Sequence, residues 1–170
     1  MSSDASLPDT ASAIEPAGAI APVLIAPRVN AAVGEFIHEE ALNADLLLRL
    51  FRQAFMPVES LSGQALLVTA ESGMRLSVTV DTDRKHLVLR TRYTLRPEAE
   101  MAAKLDFAHR ANVGVIAVRF AIASPGTLQA DFTMSFKGGA VTLQIMEAVR
   151  LLSVVVRGTI RDQDKDGVVS

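Results

Sequence analysis

Two neighbouring segments alternate strictly between apolar and polar residues, and they constrain the fold more than any other feature of the chain. They are residues 116–122 and 128–136, joined by the turn SPGT at 124–127. Because successive side chains of a strand point to opposite faces, the pattern predicts an antiparallel hairpin buried on one face and exposed on the other. The inward positions would be Ile116, Val118, Phe120, Ile122, Leu128, Ala130, Phe132, Met134 and Phe136.

Three earlier segments are also typical of strands. They are residues 65–71, 74–81 and 86–94, with turn residues at 72–73 and 81–84. Alternating strands joined by short turns predict an antiparallel meander. The chain therefore has five predicted strands, and their shared apolar face needs a cover.

Three segments have the apolar spacing of helices and can supply that cover. The first is residues 41–55, with Asn43 or Glu39 as its cap and Pro57 as its stop. The second begins at Pro97 and ends near residue 114, and the third runs from about residue 140 to 156. The apolar stripes of the first two are Leu47, Leu50, Phe51 and Phe55, and Met101, Leu105 and Ala108. The prediction is a two-layer α+β fold in the order α-β-β-β-α-β-β-α, with the five-stranded antiparallel sheet covered on one face by helices.

The two ends of the chain differ in composition from its centre. Residues 1–34 contain four of the seven prolines and nine alanines, a composition that disfavours helix and predicts a disordered arm. The folded domain is predicted at 35–160, and residues 161–170 are predicted to be a polar tail.

Composition excludes several classes of function. Without cysteine, thiolate catalysis, disulfides and cysteine-bound zinc are ruled out. The opening MSSDASLPD is acidic where a secretory signal is basic, and the chain lacks the roughly 20 consecutive apolar residues of a membrane helix. We therefore expect a cytoplasmic protein that does not enter a membrane.

A basic run at residues 84–96 contains no acidic residue. Two of its arginines alternate with apolar positions, so they are expected on the exposed face of the sheet, with two further arginines beside them. The candidate partner-binding residues are Arg90, Arg92, Arg75 and Arg119. Such a surface suits an acidic peptide or a phosphate group, whereas Asp81, Asp83 and Asp131 allow it to be an ordinary solvated face. Nucleic acid is not expected, because Tyr93 is the only exposed aromatic residue predicted there and the domain is close to neutral.

The sequence gives only weak indications of a metal site or an active site. His38, His86 and His109 lack the spacing of metal ligands, and the motifs of serine nucleophiles and phosphate loops are missing, so neither a cofactor nor an enzyme is expected. The segment DQDKDG at 162–167 matches the first positions of a calcium loop. The sequence ends before the glutamate that would complete that loop, so a solvated acidic tail without a metal site is the favoured interpretation.

The third helix has more apolar residues than one buried face can use. Leu143, Met146, Leu151 and Val154 lie off its main apolar stripe. Exposing four such side chains would create a patch that monomers seldom tolerate. They are expected either to pack on the first helix or to form the interface of a homodimer.

The order of elements, together with residues 104–152, resembles the YbjN-like family, described as bacterial sensory-transduction regulators with the fold of type III secretion chaperones. The resemblance covers roughly residues 41–157. The residues that carry the resemblance are Asn112 at a helix end, Pro125–Gly126 in a turn, and Gly138–Gly139 before the long helix that begins at Ala140. The resemblance implies a protein-binding role, possible dimerisation and no catalytic residues.

Together, these features predict a non-enzymatic module that binds a partner polypeptide through its sheet face or a helix groove. The alternative is a small-ligand sensor with its pocket between the sheet and the helices.

Overall fold

A computed structural model describes residues 34–170 of the protein. The arm predicted for residues 1–34 lies outside the described residues, apart from Gly34. The elements in chain order are β1 Phe36–Ile37, α1 Ala44–Gln53, β2 Val58–Ser62, β3 Ala65–Thr69, β4 Arg75–Asp81, β5 His86–Thr94, α2 Met101–Gly114, β6 Arg119–Ser124, β7 Thr127–Ser135, β8 Ala140–Val141 and α3 Thr142–Gln163.

The main sheet has six strands in the order β2-β3-β4-β5-β7-β6, and every neighbouring pair is antiparallel. The predicted count of five was wrong because β2 was missed. Its sequence, VESLS, is exposed except at a half-buried Val58, so this edge strand lacks an apolar alternation that could reveal it. A second, two-stranded sheet pairs β1 with β8, the latter immediately before α3.

The core lies between the helices and the inner face of the sheet. Helix α1 packs on β2 and β3, α2 on β6 and α3, and α3 on β5 and β7. Phe51, Phe107 and Phe136 are fully buried there. Burial of each large apolar side chain contributes about 1.5–3 kcal/mol to stability. The predicted hairpin is confirmed except at Ile116, which is fully exposed and precedes β6.

Helix α1 begins where its sequence indicates. The Asn43 side chain accepts a hydrogen bond from the Leu46 N–H at 2.9 Å, which satisfies a free donor of the first turn. The helix ends at Gln53, earlier than predicted, and Phe55 takes a left-handed φ of 57° that a helix cannot continue through. Phe55 is also 94% exposed. Phe55 therefore does not belong to the buried stripe.

Helix α2 differs from its prediction in both start and orientation. It begins at Met101, and Pro97 lies in the preceding turn. Met101 and Leu105 are exposed, while the buried positions are Lys104, Phe107, Ala108 and Ala111. Lys104 can be buried because its ammonium group donates to the Pro125 carbonyl oxygen at 3.0 Å and its methylene chain packs inward. An apolar pattern alone assigns such a lysine to the wrong face.

Helix α3 continues to Gln163, beyond its predicted end near residue 156. The residues after it, predicted as a polar tail, return to the sheet. Val168 is 1% exposed, its carbonyl oxygen accepts from the Arg96 N–H at 2.9 Å, and Val169 forms a bridge with Leu95. The C-terminal residues are thus part of the folded structure.

Candidate functional site

The sheet sends its polar side chains to an outer face on the side away from the helices. Arg75, Arg90, Arg92 and Arg119 alternate with buried residues of β4, β5 and β6, so all four belong to this face. We call these four residues the arginine face. Their predicted placement on one exposed surface agrees with the register of the strands.

One arginine of this face is committed to a partner. The Arg90 Nε donates to Asp131 Oδ1 at 2.7 Å, and this hydrogen bond raises the pKa of the Arg90 guanidinium further. Gln129 Nε2 donates to the other oxygen of Asp131 at 2.9 Å. The pair is held by two neighbouring strands in register, so Arg90 and Asp131 form a structural ion pair across β5 and β7.

The other three arginines remain available to a ligand. The β4–β5 pairing ends at Ser77 and Arg90. Beyond it, the Thr91 hydroxyl donates to the Arg75 carbonyl oxygen at 3.0 Å, so the Arg75 backbone lies beside β5, close to the position of Arg92. Arg75 forms an ion pair with Glu59 at 3.9 Å, and both side chains are largely exposed. Within residues 34–170, Arg92 and Arg119 have no carboxylate at ion-pair distance.

Tyr93 does not lie on the arginine face. It is half-buried on the opposite side of β5, where its hydroxyl donates to the Met74 sulfur at 3.3 Å. Burial raises the pKa of Tyr93, and the nearby charge of Arg157 partly offsets that effect. In the six strands of the main sheet, no Phe, Tyr or Trp points to the outer face, so this face lacks the stacking groups that single-stranded nucleic acids use.

The second candidate surface is the exposed side of α3. Leu143, Leu151 and Val154 are 44%, 41% and 63% exposed, and Met146 is half-buried. The four residues that were expected to need a cover are therefore not buried by α1. We call them the α3 face.

Two open grooves run beside the α3 face, where α3 approaches the end of α1. One has a volume of about 420 Å³ and is lined by Phe55, Leu143 and Met146 among others. The other, of about 380 Å³, is lined by Met146, Val154 and the polar residues Ser72, Glu147 and Arg150. Both lie at the surface, whereas the predicted sensor pocket was placed between sheet and helices, where buried side chains form the core. Sequence analysis missed these grooves because they form where the turn after α1 and the β3–β4 turn meet α3, which is a tertiary arrangement.

The suspected metal and catalytic groups do not converge. Among the described residues, no group of three or more histidines and carboxylates could hold a metal ion. In the segment that partly matches a calcium loop, Asp162 pairs with Arg161 and Asp166 pairs with Arg110, while Asp164 accepts from the Val168 and Val169 N–H groups. The pKa of Asp162 is lowered by its hydrogen bond from Arg161. The glycine pair before α3 does not present an open anion site either, since Glu39 accepts from the Gly138 N–H.

Asn112 has a role that the sequence did not reveal. Its side-chain amide donates to the Phe120 carbonyl oxygen and accepts from the Phe120 N–H, both at 2.8 Å. These bonds occupy outward backbone groups of β6, which is an edge strand of the main sheet. Asn112 thus protects the sheet from pairing with another strand at this position.

These features define a class of α+β proteins with one six-stranded antiparallel sheet and three helices. The structure is similar to the crystal structure of YbjN from E. coli, which is described as "a putative transcription regulator". The TM-score is 0.61 at 15% sequence identity, and the match covers 76% of this chain and 96% of YbjN. The fold is therefore YbjN-like, as the sequence resemblance implied.

Comparison with protein-family models and with curated proteins gave no match. None of the helices in residues 34–170 has the length and apolar character needed to cross a membrane.

Proposed function

We propose that the protein is a non-enzymatic interaction module that binds an acidic segment of a partner polypeptide on its arginine face. The observation that supports this most strongly is that Arg75 and Arg92 are both exposed on neighbouring strands, with the Thr91 hydroxyl donating to the Arg75 carbonyl oxygen at 3.0 Å. Like charges in such positions destabilise a sheet. A ligand with carboxylates would convert that repulsion into paired, charge-assisted hydrogen bonds.

Other observations favour a polypeptide over a small substrate or a nucleic acid. The outer face is open and long, and it extends from Arg75 on β4 to Arg119 on the edge strand β6. It has no outward aromatic side chains in the described strands, and Asp131 lies between the arginines of β5 and β6. A ligand with spaced carboxylates fits this pattern better than a continuous polyanion. The proposal retains the expectation of a cytoplasmic protein.

Binding of a fluorescein-labelled oligoglutamate peptide tests the proposal. We expect saturable binding that weakens as salt increases, because the contacts are between exposed charges. The double variant Arg75→Ala/Arg92→Ala should weaken binding by about tenfold, since it removes two charge-assisted contacts. The matched control is Arg49→Ala/Arg52→Ala, which removes the same charge from the exposed side of α1 and should leave binding within about twofold.

Equal losses in the two double variants would contradict the proposal, because binding would then follow net charge alone. Equal or tighter binding of a single-stranded DNA of the same charge would favour a nucleic-acid ligand. A thermal shift with a small-metabolite panel but not with the peptide would favour the sensor function.

A further inference from the structure

We propose that the protein forms a homodimer in which the α3 helices of two copies pack antiparallel across their exposed faces. The inference begins with the spacing of four exposed residues on α3. Leu143, Glu147, Arg150 and Val154 follow one another at intervals of four, three and four residues. At 3.6 residues per turn this spacing makes one straight stripe, the arrangement by which paired helices meet.

The stripe is complementary to itself when reversed. In two antiparallel helices related by a two-fold axis, a residue before the axis in one copy lies opposite the residue equally far after the axis in the other copy. With the axis between Ala148 and Val149, Leu143 faces Val154 of the second copy and Glu147 faces Arg150 of the second copy. An apolar pair at each end and opposite charges in the middle is what a symmetric contact requires.

The residues beside the stripe extend the apolar contact. Met146 flanks it on one side and Leu151 on the other, at equal distances from the proposed axis. Phe55, at the end of α1, forms a groove of about 420 Å³ with Leu143 and Met146. Val154 of the second copy, which lies opposite Leu143, would enter this groove. Burial in the dimer would thus cover three of the strongly exposed apolar side chains of the domain, Phe55, Leu143 and Val154.

The charges at the centre would be satisfied in the dimer. Within one copy, Glu147 and Arg150 form an ion pair of 3.7 Å in which both side chains are more than half exposed. Such a pair contributes little by itself. Two copies would bring the four charges into one alternating cluster, so no charge would be buried without a partner.

The contact would end beyond Val154, because the next residues of the stripe are otherwise engaged. Arg157 donates to the Ser72 carbonyl oxygen at 3.1 Å, and Arg161 donates to Asp162 at 2.7 Å. The proposed interface is therefore the region from Leu143 to Val154. It lies on the helix side of the sheet, so the arginine face would stay open in both copies.

Charge exchange within the stripe tests both the dimer and its register. By sedimentation equilibrium, the full-length chain should have twice its mass of 18.2 kDa. Glu147→Arg and Arg150→Glu should each weaken self-association by about tenfold or more, because like charges then face one another. An equimolar mixture of the two variants should form a heterodimer, since every central charge then meets its opposite. The double variant Glu147→Arg/Arg150→Glu should dimerise like the wild type.

Leu105→Ser is the matched control, because Leu105 is an exposed apolar residue of α2 outside the proposed interface. The sedimentation mass of this variant should equal that of the wild-type dimer. Far-UV circular dichroism would confirm that all variants are folded. A monomeric wild type overturns the proposal, as do single variants that remain dimeric. If the mixture stays monomeric, the antiparallel register is wrong. A chain that dimerises only without residues 1–33 would show that those residues cover the α3 face, which also overturns the proposal.

Discussion

Arg92 and Tyr93 are neighbours in the chain, yet the pleat of β5 places them in opposite environments. Arg92 is exposed on the outer face, and Tyr93 is half-buried against Met74. The alternation of apolar and polar residues was sufficient to predict the side of each arginine. It could not show that Asp131 would hold Arg90, because that contact depends on the pairing of β5 with β7.

The environment of Tyr93 leads to a pH-dependent stability. Burial raises its pKa above the ordinary value of 10, so the folded state favours the protonated phenol. Its contribution to stability is complete below the pKa of the unfolded chain and is lost as pH rises through the higher pKa of the folded protein. Tyr93 is the only tyrosine and the chain has no tryptophan, so tyrosinate absorbance reports on this residue alone.

Titration of that absorbance should give a higher pKa in native buffer than in denaturant. Arg157→Ala should raise the native value further, because the arginine charge stabilises the phenolate. Tyr93→Phe should remove the corresponding decrease in unfolding free energy at alkaline pH. Identical titrations in the native and denatured states would contradict the burial of this side chain.

At the scale of elements, patterns that repeat over many residues were predicted correctly and those set by tertiary contacts were not. The hairpin of β6 and β7 and the cap of α1 at Asn43 are local features. The exposed edge strand β2 exists because it pairs with β3, and the orientation of α2 depends on the Pro125 carbonyl that accepts from Lys104. The sequence alone does not show which strand pairs with β2 or which carbonyl oxygen accepts from Lys104.

The small sheet of β1 and β8 depends on one glycine. Gly139 has a φ of +127°, and a Cβ placed there would overlap the Phe36 ring and approach the Ile37 carbonyl oxygen. Gly138 also has a positive φ, of +84°, but a Cβ there would meet no neighbour. Gly138→Ala should therefore cost about 1 kcal/mol of unfolding free energy from backbone strain alone. Gly139→Ala should cost at least about 2 kcal/mol, since β1 must also shift.

Chemical denaturation of the two glycine variants measures this difference. Loss of amide protection at β8 should accompany Gly139→Ala and not Gly138→Ala. Equal costs would show that β1 moves aside without loss of stability.

Asp164 joins the end of α3 to the returning C-terminal residues. Its two carboxylate oxygens accept from the Val168 and Val169 N–H groups at 2.7 and 3.0 Å. Asp164→Ala should reduce the unfolding free energy by about 1–2 kcal/mol, because both donors lose their acceptor. Asp164→Asn, which keeps one good acceptor oxygen, should lose less.

Calcium should not change the melting temperature of the wild type or of either Asp164 variant, because the three aspartates of this segment already have other partners. A calcium-dependent increase that Asp164→Ala abolishes would restore the calcium-loop hypothesis. Unchanged stability in Asp164→Ala would show that the C-terminal residues are held by other contacts.

At the scale of the whole molecule, the fold was more predictable than its surfaces. The buried faces of the strands follow from hydropathy, so the α+β class could be anticipated, whereas the YbjN-like arrangement was implied by the family resemblance. The arginine face was predicted as a set, since strand alternation determines exposure. The grooves beside α3 could not be predicted, because they arise where separate turns meet a helix.

The core of the described chain is built from residues between Ile37 and Val169, and a pair of truncations tests whether the protein folds without residues 1–33. Deletion of residues 1–33 keeps Glu35, whose carbonyl oxygen accepts from the Thr142 N–H and hydroxyl, both at 3.0 Å. It should change the unfolding free energy by less than about 0.5 kcal/mol. Deletion of residues 1–37 also removes β1 and the buried Ile37, and should cost about 2–4 kcal/mol.

Urea denaturation of the two truncated proteins at equal concentration makes this comparison. If only the longer deletion lowers the unfolding free energy, residues 34–37 provide the stability at this end of the described chain. They connect β8 and the start of α3 to the rest of the fold. Loss of a cooperative transition in the shorter deletion would mean that residues 1–33 contribute to the core. The α3 face and its grooves would then be the first surface on which to look for their contacts.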